Sequence, residues 1–139
     1  MPDLEIIEKH LSAYLSDLHN IEKHKPVAAD DLKNNIDLLW IMERGIYLLI
    51  QNLFDMLAHI AAADFNEKWD YYSELGEILM KNNLITAEEK KILEQMSGFR
   101  NRLSHEYLGL EAGILADIVN NKLGDFHNFL RIIKSYCRL

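Results

Sequence analysis

Near the N-terminus, apolar residues fall at Leu4, Ile7, Leu11, Tyr14, Leu18 and Ile21. These steps of three and four place one stripe along a helix predicted from about Asp3 to Ile21. Pro26, which lacks an amide proton and disfavours a helical residue before it, closes that element after His24-Lys25. A loop leads to Asp30 or Asp31 as N-cap. From there one long helix is predicted through Leu32, Ile36, Leu39, Trp40, Ile46, Tyr47, Ile50, Leu53, Phe54, Leu57 and Ile60. It carries more apolar positions than one narrow seam requires, so it is expected to touch partners on more than one side.

Tyr71 to Met80 predicts a short helix ended by Asn82-Asn83, and Thr86-x-x-Glu89 is a capping box that opens the next. This fourth helix has the stripe Ile92, Met96, Phe99, Leu103, with Gly109 as its stop signal. A fifth begins near Leu115, passes Ile118, Phe126, Phe129, Leu130 and Ile133, and is expected to reach the C-terminus, with Gly124 as a weak point. No repeat, low-complexity tract or useful run of strand-like alternation accompanies these stripes. The pattern predicts an all-α bundle of four or five helices.

Composition narrows this further. The 139 residues, 49% of them hydrophobic, suffice for one core, and the whole chain, 1–139, is expected to be a single domain. Cys137 has no partner within the chain, the first ten residues carry charges where a signal sequence needs an apolar stretch, and no segment approaches the ~18 unbroken apolar residues of a membrane span, so a cytoplasmic protein without membrane contact is expected. A net charge of −7 excludes a protein that coats nucleic acid through bulk electrostatics. Any chemistry on nucleic acid must then be local. The basic residues Arg100, Arg102, Arg131, Lys134 and Arg138 gather in the C-terminal half, a grouping that an ordinary solvated face also explains.

The informative stretch is Gly98-Phe99-Arg100-Asn101-Arg102-Leu103-Ser104-His105-Glu106-Tyr107. On a continuing helix, Asn101 and His105 share a face nearly opposite the core, while Arg100 and Tyr107 lie along one flank of the apolar stripe. The macrodipole favours arginine and histidine near a helix C-terminus, and a tyrosine there often only packs, so periodicity alone leaves a structural role open.

The string Arg100, four residues, His105, one residue, Tyr107 resembles the R-x4-H-x-Y signature of the HepT-like proteins of the HEPN superfamily. Asn101 matches the polar residue that follows the arginine in that family, and Gly98-Phe99 and Gly109 are similar too. The resemblance implies a HEPN-type bundle dimerising through helices. It also implies a metal-independent endoribonuclease toxin, active as a homodimer that brings two motifs together. Its partner would be a small nucleotidyltransferase antitoxin that transfers AMP to Tyr107. No cofactor or metal is implied.

The chemistry suits the residues. Cleaving RNA without metal needs a base for the 2′-hydroxyl, a group for the charge at phosphorus and an acid for the leaving 5′-oxygen. His105, with an unperturbed pKa of ~6.5, is assigned the proton transfers, Arg100 the phosphate, and Asn101 the orientation of His105 or substrate. One chain supplies one of each, which is a reason for a site composed across a dimer.

Two other classes stay open: a catalytically idle module that binds a nucleotidyltransferase, and a purely structural dimer. A di-iron carboxylate site is excluded by the absence of Glu-x-x-His pairs; Asp55 and His59 are a lone i, i+4 pair, more simply a polar contact. There is no phosphate loop, H-E-x-x-H or G-x-S-x-G. Cys137 lacks an activating base, and Trp40 and Trp69 are more simply core or interface residues than ligand platforms.

Overall fold

The structure is a computed structural model that describes residues 2–105 and 112–139, with His105 described by its backbone alone. Among the described residues there are α1 (Leu4–Glu22), α2 (Ala29–Asn34), α3 (Ile36–Ile60), α4 (Tyr72–Lys81), α5 (Ala87–His105), α6 (Ala112–Asn121) and α7 (Leu123–Cys137), and no strand. Every helix the sequence predicts is present. Two of them are broken, which turns an expected four or five into seven.

The first break is at Asn35, whose extended backbone separates α2 from α3 and whose side chain accepts the Leu38 amide. Asparagine is a strong N-cap, so a fresh helix start replaces a continuous helix. Asp31 accepts the Ala28 amide at 3.1 Å and so helps begin α2 at Ala29 with Ala28 as N-cap, two or three residues earlier than the expected Asp30 or Asp31. The second break is at Lys122, two residues before Gly124, between α6 and α7.

α3 is the central element, packed on α1, α5, α2, α7, α4 and α6. Its buried residues Met42, Ile46, Leu49, Ile50, Leu53, Phe54, Met56, Leu57 and Ile60 wrap more than one face, as a helix with several neighbours requires. Gly45 permits the close approach of α1, because a Cβ there would lie 3.0 Å from the Ile21 side chain. After Ile60 the helix loosens into a π turn over Ala61–Phe65, ended by Asn66 in the left-handed region. By length and composition Ile36–Phe65 could also cross a membrane. Here, however, it is the core helix.

Polar ties fix the outer helices. The buried Tyr14 hydroxyl of α1 donates to the Phe126 carbonyl of α7 at 2.8 Å. Asn120 on α6 pairs through its side-chain amide with both backbone groups of Val27, at 2.8 and 2.6 Å, and thereby holds the loop before α2. α4 ends as expected at Asn82-Asn83: Asn83 is left-handed, and the Leu84 and Asn83 amides return to the Leu79 and Met80 carbonyls. The capping box at Thr86 and Glu89 forms in both directions, at 3.1 and 2.9 Å, and launches α5.

Candidate functional site

α5 presents the motif. Its apolar stripe places Leu93, Met96 and Phe99 in the core with Ile92 and Leu103 half-buried beside them, and this orients the residues between. Arg100 is half-buried against α3 and α4, whereas Asn101 is exposed. His105 is the last residue of α5; its side chain, like Tyr107 and Gly109, lies outside the described residues.

Arg100 does not simply emerge at the stripe's edge. One guanidinium nitrogen donates to Gln51 Oε1 of α3 at 2.8 Å and another to Asn101 Oδ1 at 2.8 Å. The guanidinium carbon stands 5.0 Å from the ring centre of Tyr72 on α4, a cation–π distance. The Ser104 hydroxyl donates to the Arg100 carbonyl at 3.1 Å, back-bonding the last full turn before His105. Asn101 is thus joined to Arg100; its expected relation to His105 lies outside the described residues.

Behind Arg100 lies a polar network that sequence reasoning missed. Gln51 Nε2 donates to Asp55 Oδ1 at 2.9 Å, and the Tyr72 hydroxyl donates to the same oxygen at 3.0 Å. Burial, then the charge and hydrogen bond of Asp55, raise the Tyr72 pKa, so its hydroxyl keeps the proton it donates. Phe54 supports the Tyr72 ring at a centroid distance of 5.3 Å. Asp55 is therefore engaged by Gln51 and Tyr72; its i, i+4 neighbour His59 instead accepts the Asp3 amide at 3.0 Å. The sequence signal was the polar pair Gln51 and Asp55 inside an apolar run.

Beside the end of α5 an open cleft of about 460 Å³ is lined by Trp40, Glu43, Arg44, Tyr47, Leu103 and Ser104. Arg44 stacks 5.6 Å from the Tyr47 ring centre, and burial raises the Glu43 pKa. Next to the cleft the start of α3 exposes Ile36, Trp40 (65% accessible) and Ile41, with Leu15 of α1 also exposed. Trp40 is consequently no core residue. Trp69 is partly buried against the core. Among the described residues, no three His, Cys, Asp or Glu side chains gather as a metal-binding group.

An all-helical bundle whose long motif helix carries an anchored arginine and ends in histidine has the architecture of the HEPN class. The chain belongs to the ribonuclease HepT-like family, whose model matches residues 5–133, and the expected ribonuclease is thereby the family's own activity. It is 28% identical over 135 residues to the tRNA nuclease HepT of Aphanizomenon flos-aquae, covering 94% of this chain and 89% of that protein. A 58-residue stretch is 38% identical to the mRNA nuclease HepT of Shewanella oneidensis, covering 42% of this chain and 44% of the other. Among solved structures, the tri-AMPylated HEPN toxin of Shewanella oneidensis, in complex with its MNT antitoxin, superposes with a TM-score of 0.85. That match has 24% identity and covers 97% of this chain and 99% of the toxin.

Proposed function

We propose that the protein is a metal-independent endoribonuclease toxin whose R-x4-H motif acts across a homodimer and which a nucleotidyltransferase antitoxin neutralises by transferring AMP to Tyr107. The observation that carries this is the state of Arg100: anchored on two sides by neutral groups, Gln51 and Asn101, and stacked on Tyr72, on the helix that ends in His105. An arginine held this way keeps its charge and part of its donor fork for a phosphate. His105 then serves as base or acid for attack of the 2′-hydroxyl on the adjacent phosphorus and departure of the 5′-oxygen, while Arg100 takes the charge that develops on the phosphoryl oxygens. Asn101 positions the fork of Arg100.

The exposed apolar group Ile36, Trp40 and Ile41 at the start of α3 adjoins the motif helix through the cleft that Trp40 lines, and a second copy of the chain seated there would bring two motifs near one another. The antitoxin partner follows from the Shewanella complex, whose toxin is AMPylated. An adenylate on Tyr107, two residues from His105, would add negative charge and bulk where the RNA phosphate must sit. On this reading the protein acts on RNA in the cytoplasm, without membrane contact.

The test is cleavage of RNA by purified protein in the presence of EDTA. Wild type should cut, and His105→Ala should not. Trp40→Glu should shift sedimentation to the monomer and lower cleavage with it. Tyr107→Phe should cleave yet escape both neutralisation and the AMP mass increment when a cognate nucleotidyltransferase is present. Wild-type protein that binds RNA or the nucleotidyltransferase but never cleaves would identify a catalytically idle module instead.

A further inference from the structure

The geometry points to Gln51 as the positioning residue of the site: a neutral relay that holds Arg100 in place by way of Asp55 and Tyr72 without neutralising it. The inference rests on the ribonuclease role proposed above for Arg100. Asp55 and Tyr72 build an anchor between α3 and α4, Gln51 reaches from it to Arg100 on α5, and the three helices meet at this point.

The orientation of the Gln51 amide is dictated by its neighbours. A carboxylate only accepts hydrogen bonds and a guanidinium only donates them. The NH2 of Gln51 must therefore face Asp55, at 2.9 Å, and its oxygen must face Arg100, at 2.8 Å. Reversing the amide would set donor against donor and acceptor against acceptor. The Tyr72 hydroxyl, donating to the same Asp55 oxygen at 3.0 Å, keeps that oxygen in place, and the Tyr72 ring supports the guanidinium from below.

The choice of an amide over a carboxylate at position 51 has a chemical consequence. A carboxylate beside arginine forms a fork-to-fork pair that uses two donors and cancels the charge, which is the interaction a phosphate needs. Through Gln51, the negative charge of the anchor reaches Arg100 only indirectly, and among the described residues no carboxylate is ion-paired with its guanidinium. Arg100 spends one donor on Gln51 and one on Asn101, both neutral groups, so its charge is not cancelled by a carboxylate. Preorganisation of this kind is what a transition-state clamp requires.

The experiment compares Gln51→Glu and Gln51→Met in the full-length protein. Gln51→Glu is nearly isosteric and converts the relay into a competing ion pair; Gln51→Met releases Arg100 with its charge intact. Three quantities are read: melting temperature, steady-state cleavage of RNA, and affinity for the same RNA with a 2′-deoxy nucleotide at the cut site. Measured well below the melting temperature of every variant, Gln51→Glu should lose about a hundredfold in kcat/KM and at least about tenfold in affinity for the uncleavable RNA, although its second carboxylate oxygen now faces Asp55 and lowers the melting temperature. Gln51→Met should lose mainly kcat, by about tenfold, and keep its affinity. In nitrogen-15 spectra the Arg100 guanidinium signals should be slowly rotating in wild type and averaged in Gln51→Met.

Wild-type affinity in Gln51→Glu, or losses in both variants that merely follow falling melting temperatures, would overturn the relay. Should wild type bind the uncleavable RNA but cut nothing, the ribonuclease role fails. The affinity of Gln51→Glu then still decides whether Gln51 protects the charge of Arg100.

Discussion

On the proposed role of Arg100, replacing it should perturb both chemistry and fold, and the two can be separated by magnitude. The sequence suggests that Arg100→Ala leaves the fold intact, because the side chain is placed at the edge of the apolar stripe. The structure revises this, since alanine removes the 2.8 Å bond to Gln51 and the stacking on Tyr72. A hydrogen bond from a charged group contributes roughly 1.5–3 kcal/mol when buried, and this partly buried one about half of that. The cation–π contact adds about 0.5–1 kcal/mol. The bond to exposed Asn101 adds little, and alanine's higher helix propensity returns only ~0.2 kcal/mol. The net cost is about 1–2.5 kcal/mol, equivalent to a fall in melting temperature of roughly 3–8 °C for a chain of this size. Arg100→Lys keeps the charge and one donor toward Gln51 and should melt within about 4 °C of wild type. It cannot bridge two phosphoryl oxygens, however, so cleavage should still fall by about a hundredfold or more. Calorimetry together with initial rates, taken well below the melting temperature of every variant, separates the effects. Wild-type cleavage by Arg100→Lys would refute the forked phosphate contact, and an Arg100→Ala variant that melts with wild type would refute the anchoring.

Tyr14→Phe removes the buried bond from α1 to the Phe126 carbonyl while keeping the ring, and should cost about 1–1.5 kcal/mol in urea denaturation without altering cleavage. Thr86→Ala opens one half of the capping box at the start of α5, with an expected cost of about 1 kcal/mol, and Thr86→Ser should restore most of it. Burial, and then the hydrogen bond to Asp64, push the Tyr136 hydroxyl up to about 12. A folded pKa above the ordinary tyrosine value of ~10 means that folding favours the protonated form. This contribution to stability is complete below about pH 10 and is lost as pH rises through the folded value. Melting temperatures followed from pH 9 upward should therefore fall more steeply in wild type than in Tyr136→Phe, and parallel curves would exclude the linkage.

The helices were legible because each has a stripe that the core demands: Ile7, Leu11, Tyr14, Leu18 and Ile21 are the buried positions of α1, as their spacing predicts. The breaks were less legible, since apolar periodicity hardly changes across them. Leu32, Ile36 and Leu39 keep helical steps through Asn35, where only the capping preference of asparagine opposes continuation. Near the second break the sequence offered Gly124, yet the chain turns at Lys122. The apolar excess on the long helix was visible but not its division. Met42 and Ile46 are buried within the chain, whereas Ile36, Trp40 and Ile41 are left outside, a distinction that depends on where α1 and α5 end.

At the site, what is local along the chain was readable and what is distant was not. Arg100, Asn101 and His105 lie within two turns of one helix, so their shared place on α5 is visible in the sequence. Gln51 lies 49 positions from Arg100 and 21 from Tyr72, and no local rule joins α3, α4 and α5 there. Buried polar groups are costly unless they are satisfied. The appearance of Gln51 and Asp55 in a helix otherwise lined by Ile50, Leu53, Phe54 and Leu57 was thus a sign that something polar had to meet them. Arg100 and Tyr72 are what meets them. The same requirement explains why the arginine of the motif is fixed: the core helix supplies a polar notch that only a donor-rich side chain from α5 can fill, and filling it holds the guanidinium one turn above the end of the helix that carries His105.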